Sequence, residues 1–232
     1  MRRSNNQYIG RFAPSPSGGL HFGSLVSAIA SYVDARQHFG QWILRIDDID
    51  QPRTKSGAAE SIIHTLNAFG FKWNNSIQWQ SERISQYEQV IQELKDRNAV
   101  YICACSRKEI SKIAASGVDG MIYPGTCRDQ GHKENSSRAI RIRTNSERIY
   151  FSDRVFGHFE QNLETLSGDF IIRRADKITA YQLAVVVDDY LDQVSHVVRG
   201  ADLLMSTCKQ IYLGGLLGYP TLDFAHTPLV IN

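Results

Sequence analysis

The residues best suited to chemistry lie near the amino terminus, in Arg11-Phe12-Ala13-Pro14-Ser15-Pro16-Ser17-Gly18-Gly19-Leu20-His21-Phe22-Gly23-Ser24. Pro14 and Pro16 fix φ and keep the segment out of regular structure. Gly18, Gly19 and Gly23 let backbone approach a ligand closely. From residue 24 a helical pattern begins, with Leu25, Ala28, Ile29, Tyr32 and Val33 on one face. A stiff loop that ends in His-x-Gly at a helix start presents N–H groups and a positive dipole end, which favour a nucleotide's phosphates.

Two further groups carry chemical potential. Acidic residues Asp47, Asp48 and Asp50 follow the apolar run Trp42 to Ile46. Cys103, Cys105 and Cys127 are clustered and favour a metal over disulfides in a chain with no sign of secretion. Structural zinc takes four ligands, and Cys127-x4-His132 supplies a Cys3His option on chemistry alone. Cys208, on an apolar helix face, reads as core. No Ser/His/Asp or Cys/His set suggests a protein nucleophile.

The elements that position these residues follow from periodicity. A first strand is expected at 8–12, a helix at 24–38 with Gly40 as its C-cap, a strand at 42–46, and a helix through Ala58, Ile62, Ile63, Leu66 and Phe69 closed by Gly70. Alternating strands and helices argue for a parallel α/β sheet, which binds ligands at the carboxyl ends of its strands. A third helix fits Ile84, Tyr87, Ile91 and Leu94. Residues 101–136 change character and read as an inserted subdomain, dividing the chain into 1–100, 101–136 and 137–232. Short strands are expected at 139–143 and 148–152. The main sheet is expected to resume at Phe170-Ile171-Ile172 and to continue through Tyr181–Asp189 and His196–Arg199, before a last helix with Leu204, Cys208, Ile211 and Gly215.

With 232 residues and 42% hydrophobic content, the chain can bury one sizeable core. A net charge of +2 does not demand nucleic acid, so an RNA face would be local, with candidates at 138–143 and 173–174. The start, Met1 to Gln7, lacks an apolar h-region, and the longest aliphatic stretch, Leu183 to Val187, is too short to span a bilayer. A cytoplasmic protein without membrane contact is expected.

The segment 11–24 resembles the first nucleotide-binding motif of class I aminoacyl-tRNA synthetases, in the form of the glutamyl branch. The resemblance extends, in order, through Arg45-Ile46-Asp47-Asp48-Ile49-Asp50, Gln80-Ser81-Glu82-Arg83, Tyr123-Pro124-Gly125-Thr126-Cys127-Arg128, Val198-Arg199-Gly200-Ala201-Asp202-Leu203 and His226-Thr227-Pro228-Leu229. It implies a Rossmann-like doubly wound parallel sheet with an inserted small zinc-bearing subdomain, and a ligase that activates L-glutamate with ATP and Mg2+. His21, Gly23 and Ser24 would serve catalysis and hold ATP. Arg11, Phe12, Ala13, Pro14, Ser15, Asp47, Tyr181 and Arg199 would hold glutamate, with guanidinium groups on its carboxylates. Asp47 stands where the family has glutamate, one methylene longer. Arg199 has an alternative reading as a salt-bridge partner of Asp202, and Asp47 as a strand-end surface carboxylate. Asp188 and Asp189 point toward the same cleft without a defined role. For the structural Zn2+, the resemblance implies Cys103, Cys105, Tyr123 and Cys127, so Tyr123 and His132 compete for the fourth position.

The short length and the Cys-x-Cys, Tyr-x-x-x-Cys set point within that branch to a member without an anticodon-binding domain. Its acceptor would be queuosine in the anticodon loop of tRNA(Asp), and a monomer is expected. The family's lysine-bearing second nucleotide motif would fall shortly past Asn232, so weakened activation is expected of residues 1–232 taken alone. Rival readings are the catalytic fragment of an ordinary glutamyl-tRNA synthetase, a non-catalytic zinc-stabilised RNA-binding relative, and a nucleotidyltransferase acting on another acid.

Overall fold

A computed structural model describes residues 7–117, 120–135 and 137–230; the basic start, residues 1–6, lies outside them. The first half alternates strand and helix: β1 (Ile9–Phe12), α1 (Phe22–Gln37), β2 (Gln41–Ile46), α2 (Ala58–Ala68), β3 (Gln78–Trp79) and α3 (Ile84–Asp96). There follow β4 (Val100–Cys103), α4 (Arg107–Ser111), β5 (Ser116–Gly117), β6 (Gly120–Met121), β7 (Ala139–Ile142), β8 (Arg148–Asp153), β9 (Gly157–Asn162), α5 (Leu163–Leu166) and β10 (Ile171–Arg173). The chain ends with α6 (Tyr181–Leu191), β11 (His196–Gly200), α7 (Thr207–Leu217) and β12 (Asp223–Thr227).

Seven strands form the main sheet, in the order β3-β2-β1-β11-β12-β8-β9. All neighbours are parallel except β8 and β9, which form an antiparallel hairpin at one edge. The order reverses between β1 and β11, a switch point of the kind where open α/β sheets bind ligands. Trp42, Leu44 and Ile46 on β2 pack with Phe12, Ala28, Ile62 and Leu66 into one core cluster. A second cluster joins α3, α6 and α7 through Tyr87, Ile91, Leu183, Val187 and Leu213. Strand expectations in the first half match, and α1 begins two residues before the expected start.

Three expectations are corrected. Residues 181–189 are not a strand but most of α6. A run of valines suits a strand, yet this helix is buried on most of its circumference, and such helices read as apolar all round. Leu183, Ala184 and Val187 meet the α3–α7 core while Asp188 and Asp189 are also buried. Residues 170–172 do not rejoin the main sheet: β10 pairs antiparallel with β7, which pairs antiparallel with β4. A short apolar run carries no information about which sheet it joins.

Gly40 is not a C-cap in the left-handed region. Phe39 takes that conformation, with φ of 51°. Gly40 instead passes close to β1, where a Cβ would lie 2.5 Å from the Tyr8 carbonyl oxygen and 2.6 Å from the Tyr8 Cβ. Gly70 does close α2 in the left-handed region, with φ of 81°. Gly40→Ala should therefore force the β1–β2 entrance apart and cost about 1–3 kcal/mol, read as a lower urea midpoint. An unchanged midpoint would show that the backbone there yields without cost.

Candidate active site

A cleft of about 650 Å3 opens at the carboxyl ends of β1, β2 and β11. Its lining includes Arg11, Phe12, Ala13, Pro14, Ser15, His21, Gly23, Ser24, Asp47, Tyr181 and Arg199. Sequence positions nearly 190 residues apart thus share one cavity. The proline-set loop is tied down on both sides. Pro14 O accepts from Asp47 N–H at 3.0 Å, and Pro16 O accepts from Lys55 N–H at 2.9 Å.

His21 is the N-cap of α1. Its Nδ1 accepts from Ser24 N–H at 3.2 Å, and its ring lies against Gly23, where a Cβ would come within 3.2 Å of Cε1. The imidazole is thereby fixed at the helix end. The Ser24 N–H, expected to face a phosphate, is donated to His21 Nδ1 in this cap. The helix dipole still favours an anion at this mouth.

Behind the cleft lies a buried ionic cluster; the sequence named Arg11, Asp47, Asp188 and Asp189 but not their pairing with Arg45, Arg83 and Asp192. Arg45, fully buried, donates from Nε to Asp47 at 2.9 Å and from Nη1 to Asp189 at 2.8 Å and Asp192 at 3.2 Å. Asp188 accepts from Gln80 at 2.6 Å, Tyr87 at 2.8 Å and Arg83 at 3.1 Å. Arg83 also reaches Asp192 at 2.5 Å. Arg11 Nε is held by both Asp189 oxygens, at 3.1 and 3.2 Å, while among the described residues its two terminal nitrogens have no hydrogen-bond acceptor. The available signals were the arginines of the matched segments 45–50 and 80–83; their partners became visible only once α6 proved helical.

The charges here are uneven. Arg11, Arg45 and Arg83 face Asp47, Asp188, Asp189 and Asp192, three cations against four carboxyls. Burial, with Asp188 and Asp189 adding to it, pushes Asp47 up to about 7 against the pull of Arg45. Asp189 is held below the usual carboxylate range, because Arg11 and Arg45 outweigh its burial. Asp47 is therefore no exposed strand-end carboxylate: it is buried at 7% exposure and bonded to Arg45.

Arg199 is buried and makes no ion pair with Asp202. Its Nε meets His226 Nε2 at 3.0 Å, Nη1 meets Gln210 at 2.8 Å and the Tyr181 hydroxyl at 3.3 Å, and Nη2 meets Thr207 at 2.9 Å and Leu203 O at 3.3 Å. His226 Nδ1 lies 2.6 Å from Asp153 Oδ2. Burial first, then the Arg199 charge, holds His226 below the ordinary imidazole range, while Asp153 pulls the other way.

The cysteines form a second, separate group. The sulfurs of Cys103, Cys105 and Cys127 lie within 4.8 Å of one another, a set that could hold a metal ion. The Tyr123 hydroxyl sits among them, 3.3 Å from Cys103 Sγ and 3.4 Å from Cys105 Sγ, and accepts from Cys127 N–H at 2.9 Å. The Arg141 guanidinium lies 3.8 Å over the Tyr123 ring centre, a cation–π contact that holds the ring in place. Burial raises the Cys127 thiol, but hydrogen bonds from Tyr123, the Ala104 backbone, Cys105 and His132 outweigh it and bring it down to about 6. Cys208 is buried core, as expected.

The Asp47 environment has a testable sign. Its carboxyl titrates near 3.8 when unfolded and near 7 when folded, so the folded state binds more protons between those values. Stability from this group is present at acid pH and lost as pH rises through about 7. Asp47→Asn should match the parent near pH 4 and exceed its stability by about 2–4 kcal/mol at pH 8. A pH-independent difference in denaturant unfolding would contradict the charge imbalance.

Residues 9–232 match the family model described as tRNA synthetases class I (E and Q), catalytic domain. A glutamyl-Q tRNA(Asp) synthetase of Aromatoleum aromaticum is 51% identical over 225 residues, covering 97% of this chain and 71% of that one. That of Dechloromonas aromatica is 50% identical over 230 residues, covering 98% and 76%. Among solved structures, a glutamate tRNA ligase from Elizabethkingia meningosepticum in complex with its amino acid superposes with a TM-score of 0.85 at 25% identity, covering 97% of this chain and 50% of that one. The chain therefore spans about half of that ligase and about three quarters of the synthetases it matches. Among the described residues no helix is long and apolar enough to cross a membrane. The doubly wound sheet, the His-x-Gly helix mouth and these similarities together place the chain in the class I tRNA synthetases of the E and Q type, among the glutamyl-Q tRNA(Asp) synthetases.

Proposed function

We propose that this chain activates L-glutamate with ATP and transfers the glutamyl group to a hydroxyl on the cyclopentene ring of queuosine in the tRNA(Asp) anticodon loop. The supporting observation is the convergence of Arg11, His21, Asp47, Tyr181 and Arg199 on one cleft at a sheet switch point. The names of relatives near 50% identity support the choice of acceptor.

In the first step an α-carboxylate oxygen of glutamate attacks the α-phosphorus of ATP. The bond to the bridging oxygen breaks, and pyrophosphate leaves with its electron pair. No protein nucleophile is required, so the chain contributes position and charge. His21 and the amino end of α1 face the phosphates, which arrive with Mg2+. Arg11 offers its two terminal nitrogens to a carboxylate while Asp189 fixes its Nε. Asp47 takes the ammonium. The substrate's cation then balances the fourth carboxyl of the cluster and displaces the proton that Asp47 tends to keep. Either a proton on Asp47 or a bound ammonium thus brings the cluster to neutrality, and the two compete.

The three thiolates and Tyr123 would hold a structural zinc, closing the segment between β4 and β7 by coordination in place of a core. A dication would lower the Tyr123 phenol that burial otherwise holds protonated. Cys105→Ala should abolish zinc content, and Tyr123→Phe should weaken affinity at least about ten-fold, while His132→Ala leaves it near the parent value. Competition with a zinc chelator measures this; loss in His132→Ala with retention in Tyr123→Phe would reverse the assignment.

The functional reading is tested with radiolabelled glutamate and ATP. Label should enter tRNA(Asp) that carries queuosine, stay with the anticodon-loop fragment after nuclease cleavage, and fail to enter tRNA(Asp) lacking queuosine. Incorporation that requires an intact 3′ terminus would instead identify an ordinary glutamyl-tRNA synthetase.

A further inference from the structure

We propose that Asp153 and His226 are positioning residues that orient Arg199 for the glutamate substrate through an imidazole held in a single tautomer; this rests on the reading of the cleft given above. Arg199 borders the cleft, whereas neither Asp153 nor His226 does. The three sit on adjacent strands, β11, β12 and β8, and each is almost wholly buried.

The hydrogen-bond directions follow from the chemistry of the groups. Arg199 Nε carries one hydrogen and cannot accept, so His226 Nε2, 3.0 Å away, must be the acceptor. The ring proton then resides on Nδ1 and is donated to Asp153 Oδ2 at 2.6 Å. Asp153 cannot turn away. Its Oδ1 accepts from the backbone N–H groups of Val155 at 3.0 Å, Phe156 at 2.9 Å and His226 at 3.3 Å. The hairpin turn after β8 therefore fixes the carboxylate, the carboxylate fixes the tautomer, and the tautomer fixes the guanidinium plane.

The use of a neutral acceptor matters for binding. Arg11 and Arg45 are neutralised by aspartates, but among the described residues every hydrogen-bond partner of Arg199 is uncharged: His226, Tyr181, Gln210, Leu203 O and Thr207. A carboxylate in direct contact would hold Arg199 equally well and would cancel the charge an anionic substrate needs. With an imidazole interposed, Arg199 is oriented while its charge stays available. The charged groups facing His226 are Asp153 from β8, Arg199 from β11 and, farther off, Arg11 from β1. A protonated ring would place two donors against each other at Arg199 Nε.

Asp153→Asn reverses the tautomer without removing bulk. Its amide oxygen keeps the backbone N–H groups, its NH2 faces Nδ1, and the ring proton is forced to Nε2 against Arg199. In glutamate-dependent ATP–pyrophosphate exchange by the full chain, the KM for glutamate should rise about ten-fold or more, with the KM for ATP within about two-fold of the parent. His226→Gln, which can present an amide oxygen near the position of Nε2, should retain a glutamate KM close to the parent value; His226→Asn, which cannot, should resemble Asp153→Asn. Ring 15N shifts should report Nδ1–H in the parent and Nε2–H in Asp153→Asn, a readout independent of activity. An unchanged glutamate KM in Asp153→Asn, a parallel rise in both KM values, or equal behaviour of the Gln and Asn variants would each overturn the proposal. A parent chain with no glutamate-dependent exchange would overturn the reading of the cleft itself and this proposal with it.

Discussion

A fully buried guanidinium, that of Arg45, is the constraint on which the rest of this molecule depends. It projects from β2 into a space where α6 and its C-cap deliver Asp188, Asp189 and Asp192. Isolated charges are very costly in such a place, and here mutual pairing offsets that cost even though Arg45 Nη2 is buried without a hydrogen-bond partner among the described residues. The pairing sets the rotation of α6 and its distance from the sheet. Tyr181, at the start of that helix, is placed in the cleft as a consequence, and so is Asp189 beneath Arg11. The cluster adds specificity of arrangement more clearly than it adds stability. An apolar repacking of the same space would not fix α6 so narrowly.

The cluster also explains why a cleft built on arginines does not close upon itself. Both cleft arginines are gripped from behind, by Asp189 in one case and by neutral acceptors in the other. Arg11 keeps its terminal nitrogens for the cavity, whereas Arg199, whose N–H groups all have acceptors in the protein, presents its uncancelled charge. A flexible arginine would lose side-chain entropy on each binding event, whereas one already held has lost it on folding. The carboxyl excess around Asp47 complements this, because the same small cavity then favours a ligand bearing both an ammonium and carboxylates.

The cysteine group solves a different problem. The segment between β4 and β7 contributes few residues to the main cores, and its own cluster is limited to Tyr101, Cys103, Ile110, Tyr123 and Cys127. So small a core is marginal without a cross-link. A phenol lodged among three thiols, with a guanidinium over its ring, is a geometry that a bound cation would complete.

Much of this was legible in the residues taken in order. The stiff loop, the helix mouth after His21 and the alternation of strand and helix are local signals, because turn chemistry and hydrophobic period act over a few positions, whereas Tyr181 and Arg199 were placed at the cleft by the family resemblance and not by any local pattern. What the chain alone left undecided was how distant segments meet. The valine run at 185–187 suits a strand by propensity, and only burial on several sides made it helix. Residues 170–172 carry the same apolar signal whichever sheet they join. The partners of Arg45 and Arg199 are up to about 147 residues away in sequence, and a charge gives no sign in one dimension of where its counter-charge will fall. Tertiary structure decided those pairings, because the cost of burying a polar group is settled only by whatever the completed fold places beside it.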